Sequence, residues 1–522
     1  MDLCAPGNRR RRCAVVGALI ESYAGPMARV IVIGAGAGGM AAAARLRVKG
    51  HDVTLLEQGE RYGGKLARYE RDGFVFDTGP SLLTLPAVYR DLFLKTGGPL
   101  EDAVDIQPLD TAFSYRFSDD TSLELPGTDP GRIAQAMGEQ LGGTAAHDWR
   151  DLMARAADVW RITRQPFIQS PLDGAGTLLR LGLTTHPSAV RAVAPFTTLR
   201  RLGQHHLRDP RQVQILDRYA TYQGSDPRRA PAALMTVPYV EQAFGAWHLG
   251  GGLATLADAL AARCRERGVD MRLGVDVRRI TTNSAGVTGV ETADGERMAA
   301  DIVVANTDAE HLYASMVDDP RGRKPLRTLR RATPSLAGFV LMLAVRGRTP
   351  GLRHHNVWFP SNYDAEFDAI FDGRPVDDPT IYVCSPDDPR MRPDSDHESW
   401  FVLVNAPRHG PIDWDAIRES YADHVLEVMA RRGFDVRDRL LWREIRTPAD
   451  LERGVRTPGG SIYGTSSNGI RAAFLRPANI SPVPGLYLVG GSSHPGGGLP
   501  LVGISAEIVA DSIGRARPSP SA

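Results

Sequence analysis

Cysteine is scarce in this chain, and a surplus of either charge is missing. The 522 residues include four cysteines, Cys4, Cys13, Cys264 and Cys384, none in a C-x-x-C spacing, which excludes a zinc cage and a disulfide framework. Against 62 Lys+Arg stand 61 Asp+Glu, a net charge of +1, so the cationic surplus that nucleic-acid binding draws on is absent. The cations are nearly all arginine, with lysine only at positions 49, 65, 95 and 324. No stretch reaches the roughly 18 apolar residues of a membrane-spanning helix. The longest candidates, residues 31–44 and 335–345, fall short, which excludes integral insertion and leaves surface attachment open.

What is present is a long chain, roughly three domain-sized units on length alone, with 54 glycines gathered in clusters rather than repeats. Clustered glycine points to backbone held close to a ligand. The first 26 residues imitate a secretory signal: Arg9–Arg12, an apolar run to Ile20, then Ser22-Tyr23-Ala24. Glu21 ends that run early and Met27 directly precedes a strand, so we read residues 1–26 as a disordered extension or an upstream alternative start.

From Met27 onward, β-branched residues, a glycine turn, an alanine-rich stretch stopped by Gly50 and a second apolar run predict a βαβ unit ending at Glu57. Residues 66–77 alternate around Asp72-Gly73, a hairpin signature. Residues 85–244 read as largely helical. After Gly250-Gly251-Gly252 a helix is expected to end near Gly268, followed by one strand over 270–280 and a meander through 287–290 to 301–306. An apolar strand over 338–345, a helix over 417–431, and a strand, glycine loop and helix over 485–513 complete the pattern. The fold class is α/β with α+β insertions. One nucleotide-binding domain is assembled from 27–84, 245–307 and 484–515, with 85–244 and 308–483 threaded between its pieces and 516–522 as a disordered tail.

Gly34-x-Gly36-x-x-Gly39 follows the first strand and opens a helix. The glycines permit the turn, the approach of a pyrophosphate and close helix–strand packing, and the helix N-terminus faces the phosphates. Glu57 ends the next strand, where a carboxylate accepts ribose hydroxyls and repels a 2′-phosphate. Gly63-Gly64-Lys65 follows, an extension found in flavoproteins that resemble amine oxidases and carotenoid desaturases. A second glycine loop, Gly490 to Pro500, would bring backbone N–H groups and a helix dipole to a flavin. No second dinucleotide fingerprint exists, so electrons must leave to a diffusing acceptor such as oxygen or a quinone.

Taken together with Phe76 to Ser81, Pro238 to Trp247, Gly460 to Gly464, Phe474 to Pro477 and Gly491 to Pro500, these motifs make the chain resemble the bacterial-type phytoene desaturase family over residues 28–515. The resemblance implies an amine-oxidase-like architecture: a Rossmann-like FAD domain, a substrate-binding sheet domain and a helical region facing the membrane. It implies non-covalent FAD, in keeping with Cys384 lying far upstream of the C-terminal loop, and a long hydrophobic polyene drawn from a membrane surface. The expected cofactor contacts are Gly34, Gly36, Gly39, Glu57, Gly63, Gly64, Lys65, Val277, Gly491, Ser492 and Gly498. The expected location is cytoplasmic and peripheral to the membrane.

The implied chemistry is hydride transfer from an allylic CH₂ to flavin N5 with loss of the neighbouring proton, a reaction that needs alignment more than a nucleophile. His494, the titratable side chain of the C-terminal loop, is the candidate for proton handling, and its plainer reading is a loop-shaping hydrogen bond. The resemblance places Tyr239 and Glu241 on a segment along the substrate passage, where each is read as a polar contact to the flavin or as a structural hydrogen bond, and neither as catalytic. Residues 177–207 mix leucine with Arg180, Arg191, Arg200 and Arg201, which suits a face dipping into a bilayer or an ordinary helix pair. The scattered histidines lack metal-ligand spacing, so no metal is expected. The leading function is desaturation of phytoene or a related acyclic carotene. The alternative is a later carotenoid step: terminal methyl oxidation, desaturation of a modified carotene, or isomerisation. A catalytically silent lipid carrier is opposed by the intact phosphate cradle.

Overall fold

The computed structural model describes residues 24–172, 193–194, 196–469, 472 and 476–516. Strand Arg29–Ile33 is β-branched at four of its positions and buried on both sides. It turns at Gly34, φ +95°, into helix Ala37–Val48. That helix is buried all round because helices Ala254–Glu266 and Leu499–Ile513 pack against it, and its alanines let them come close. The chain returns as strand Asp52–Leu56.

These strands lie in a five-stranded parallel sheet ordered Asp270–Arg272, Asp52–Leu56, Arg29–Ile33, Ile302–Ala305, Leu486–Leu488. The register aligns Val32 with Leu55 on one side and with Val304 on the other, and Val304 with Tyr487. The single strand expected over 270–280 is two. Asp270–Arg272 sits at the sheet edge, the chain turns at Gly274, φ +72°, and Val277–Thr282 begins a separate antiparallel sheet with Val287–Thr292 and Arg297–Ala299. The expected hairpin is Arg68–Arg71 with Phe74–Asp77, turning through positive φ at Asp72 and Gly73.

A seven-stranded sheet forms the second body, ordered Leu440–Arg446, Ala337–Arg346, His397–Ala406, Ile381–Cys384, His355–Trp358, Thr111–Arg116, Ser122–Pro126. Its last two strands come from the segment expected to be largely helical. Thr111–Arg116 is buried on both faces and pairs in parallel with His355–Trp358, a partner too distant in sequence for any local signal. One face of this sheet carries helices Pro130–Leu141, Ala145–Thr163, Pro210–Arg218 and Thr236–Phe244 over a core that includes Trp149, Tyr115 and Tyr219. The other is covered by Trp414–Arg431, where Phe339, Trp400 and Trp414 are buried.

Two expected boundaries move. Ala24–Gly25, assigned to the disordered extension, pairs in parallel with Arg515–Ala516, which includes the first residue assigned to the tail. Within 177–207, residues 177–192 and 195 lie outside the described residues. In helix Leu199–His206, Leu199 and Leu202 face the core, and Arg200 is held by Asp217 and by Asp364 at 2.6 Å. That helix packs inward rather than presenting a lipid-facing stripe.

Helix Ala254–Glu266 begins without a side-chain cap of its own. The missing acceptor comes from the hairpin: Leu253 N and Ala254 N donate to Asp77 at 2.8 and 2.9 Å. Asp77→Ala is expected to lower unfolding stability by roughly 2 kcal/mol, the upper range for a lost helix cap. Urea unfolding measures this, and an unchanged midpoint would show that water replaces the carboxylate.

Candidate functional site

One cavity of about 1340 Å³ runs from the Gly34 turn across the junction of the two bodies into the helical layer. At one end two helix N-termini open onto it. Ala37–Val48 has Gly36 as its N-cap and Leu499–Ile513 has Gly498, neither with a side-chain cap, so their first N–H groups are free for phosphate or flavin oxygens. Both loops are held by Asn306, just after the interior strand Ile302–Ala305. Its Nδ2 donates to Val489 O at 2.9 Å, and a Cβ at Gly36 would lie 2.7 Å from its Oδ1. Sequence reasoning missed Asn306, although the carboxyl end of a parallel strand is where such folds bind ligands.

Of the eleven expected cofactor contacts, ten line the cavity: Gly34, Gly36, Glu57, Gly63, Gly64, Lys65, Val277, Gly491, Ser492 and Gly498. Gly39 lies behind it, and a Cβ there would fall 2.0 Å from Gly34 O, so its glycine serves helix–strand packing. Glu57 accepts from Ala35 N at 2.7 Å and Gly59 N at 2.9 Å. Lys65 Nζ donates to Ile462 O at 2.7 Å, and burial pulls its pKa below the ordinary lysine value. Ser492 Oγ accepts from Ala309 N at 3.0 Å.

His494 lines the cavity with its Nε2 3.0 Å from Ser170 O, so that nitrogen carries the proton and the ring ties the glycine loop to the helical layer. Burial pushes its pKa down to about 4. Arg476 is buried among carbonyls, donating to Tyr463 O, Gly491 O and Thr465 O at 3.0, 2.8 and 2.9 Å, and burial lowers its pKa to about 10. Its preceding motif residues Phe474 and Leu475 lie outside the described residues.

Toward the other end the cavity floor is sheet, with Val340, Phe401 and Leu403, and the roof is helix, with Trp160, Val237 and Val240. Glu241 also lines it, accepting from Tyr219 Oη at 2.5 Å, and burial pushes its pKa up to about 7. Tyr239 is not in the lining and packs on the adjoining core. Phe196, 81% exposed, belongs to the lining as well and marks an opening to the surface. Ligand atoms of His354, His355 and Cys384 lie within 4.8 Å of one another, a grouping their spacing in sequence did not show. His355 stacks on Phe113 and its Nδ1 meets Tyr382 Oη at 2.8 Å. No helix among the described residues is long and apolar enough to cross a membrane.

Residues 37–513 match the family described as flavin containing amine oxidoreductase. The 4,4'-diapolycopene oxygenase of Methylomonas sp is 32% identical, over 93% of this chain and 98% of that protein. Hydroxyneurosporene desaturase of Rubrivivax gelatinosus is 33% identical, over 93% of each chain. The 1-hydroxycarotenoid 3,4-desaturase of a Flavobacterium is 32% identical, over 93% and 99%. Among solved structures, putrescine oxidase bound to putrescine overlays with a TM-score of 0.59 at 15% identity, over 93% of this chain and 98% of that one. Cyclohexylamine oxidase from Brevibacterium oxydans gives 0.56 at 15%, over 94% and 99%.

Proposed function

Since this chain belongs to the flavin-containing amine oxidoreductases and is an FAD-dependent oxidoreductase of the carotenoid desaturase type, we propose that it introduces conjugated double bonds into an acyclic carotene, phytoene or a related polyene. The observation that carries this reading is the continuous cavity, which joins a dinucleotide cradle to a long passage floored by the apolar face of a sheet.

The residues present fit FAD: two uncapped helix N-termini, a carboxylate at the end of the second strand, and glycines where side chains would fill the cradle. Bound there, FAD supplies a two-electron acceptor for the hydride leaving an allylic carbon. We assign its contacts to Gly34, Gly36, Glu57, Gly63, Gly64, Lys65, Val277, Gly491, Ser492 and Gly498, with Gly39 packing behind them, and its domain to 27–84, 245–307 and 484–515. Neither Cys264 nor Cys384 lines the cavity, which supports non-covalent binding. The N-terminus of Leu499–Ile513 and the Arg476 guanidinium supply positive potential at the loop 490–498. His494 shapes the loop, since its Nε2 proton is committed to Ser170 O and its lowered pKa makes it a weak base.

The sheet face and the roof of Trp160, Val237 and Val240 hold the polyene extended and exclude water, which aligns successive CH₂–CH₂ units with the cradle. Each step removes a hydride and a proton, and oxygen or a quinone takes the electrons onward. Exposed Phe196 at the mouth suits a peripheral membrane contact through which an insoluble substrate enters.

Expression in a host that accumulates phytoene tests this. A new visible absorption, with mass falling by two hydrogens per step, is the expected result. Unchanged phytoene in cells yielding FAD-loaded protein would overturn phytoene as substrate. The second reading, a later step on a partly desaturated or modified carotenoid, is favoured by the names of the relatives, and predicts conversion only when such a pigment is supplied.

A further inference from the structure

Where strands His355–Trp358 and Ile381–Cys384 meet, the antiparallel ladder ends on the pair His355 and Cys384, and Ser385 N donates to His354 O at 2.9 Å just beyond it. Residues directly opposite in such a ladder send their side chains to the same face, which brings the thiol and the His355 ring together. The His354 ring turns back against His355, with ring centres 4.6 Å apart. One ligand atom from each of the three lies within 4.8 Å of the other two. His355 and Cys384 are buried, His354 is half-buried, and none of the three lines the large cavity.

The His355 ring spends one nitrogen and not the other. Nδ1 meets Tyr382 Oη at 2.8 Å, and that hydroxyl meets Ser81 Oγ at 2.6 Å and also reaches the Cys384 thiol. Nε2 is buried with no hydrogen-bond partner among the described residues. A buried ring nitrogen left unpaired is costly, and a bound ion or water is the usual explanation. Phe113 and Tyr382 stack on the ring at 4.9 and 5.9 Å between centres, so a partner must come along its edge, in the ring plane. His248, its Nε2 held by Asp388 at 3.0 Å, packs on His354 with ring centres 4.8 Å apart.

We propose that His354, His355 and Cys384 bind one zinc ion, at a site separate from the FAD cradle and independent of the carotenoid reading. Two imidazoles and a thiolate are donors of the kind zinc takes. An imidazole that ligates a metal has its other nitrogen held by a hydrogen bond, as His355 Nδ1 is by Tyr382. Donor atoms around a tetrahedral zinc lie about 3.5 Å apart, so the three close by roughly 1 Å around the ion, with water in the fourth position beside half-buried His354. The Zn–S bond forms as the Cys384 S–H bond breaks, the proton passes to solvent, and nothing is oxidised or reduced. The ion pins one strand to the next, and through the His355 ring it fixes the Tyr382 hydroxyl, which with Ser81 belongs to the cavity wall.

FAD-loaded full-length protein, purified without a histidine tag or chelator, should carry about one zinc per chain by elemental mass spectrometry. Stripped with a chelator and titrated with cobalt(II), it should show the intense bands of tetrahedral cobalt at wavelengths longer than flavin absorbs. Cys384→Ser and His354→Ala should each weaken zinc binding by at least about 100-fold while keeping FAD, and Tyr382→Phe, which removes only an outer partner, by about 10-fold. If Cys384→Ser does not fold, His354→Ala and the cobalt spectrum of the unaltered protein decide. Protein that isolates without zinc, and takes up neither zinc nor cobalt when supplied, overturns the proposal and leaves water as the partner of His355 Nε2. Zinc retained at one per chain in both variants lies elsewhere and overturns it equally.

Discussion

Glu57→Ala is expected to purify largely without flavin. In the folded protein the carboxylate closes the end of strand Asp52–Leu56 against two neighbouring turns, accepting from Ala35 N and Gly59 N. A ribose reaching this carboxylate would add charge-assisted hydrogen bonds, and losing those weakens FAD binding by about 100-fold. The substitution also frees two backbone donors that shape the cradle, so Glu57→Gln, which keeps an acceptor but no charge, should lie between. Flavin absorbance per protein, followed during dialysis, gives the answer. Full occupancy in Glu57→Ala would remove the carboxylate from the binding site.

Arg476→Leu should be the most destabilising single change. One guanidinium serves carbonyls of Tyr463, Thr465 and Gly491, joining the loop 463–465 to the glycine loop 490–498. Leucine leaves three acceptors without donors, at about 1–3 kcal/mol each before water enters. A loss of roughly 3–5 kcal/mol is then expected, a large part of a typical domain's stability. Arg476→Lys cannot reach three carbonyls and should recover only part. Urea unfolding followed by tryptophan fluorescence reads the loss, and a change below about 1 kcal/mol would mean that the loops do not depend on this contact.

The βαβ start, the Asp72-Gly73 hairpin and the last helix were legible because their determinants are local: glycine at positive φ, β-branched runs, an alanine-rich helix. The cofactor was legible for the same reason, since the glycine motifs with Glu57 and Lys65 are local in sequence, and these residues, apart from Gly39, line one cavity. What stayed hidden depends on partners far along the chain. Strand Thr111–Arg116 is explained by His355–Trp358. Asn306 becomes significant only when two glycine loops close on it. The grouping of His355 with Cys384 follows from cross-strand register, which spacing in sequence does not encode. Residue 270–280 misled because the apolar pattern continues through the Gly274 turn.

The strand order of the parallel sheet bears on how the protein is made. Its fourth strand Ile302–Ala305 takes Leu486–Leu488 as its outer neighbour, and the second helix N-terminus of the cradle begins only at Leu499. A ribosome has therefore synthesised nearly all of these 522 residues before the second half of the cradle exists. Flavin capture must follow translation, and until then the apolar edge of Ile302–Ala305 is exposed to chaperones or to another chain. Yield of active protein should accordingly track chaperone capacity during synthesis more than flavin supply.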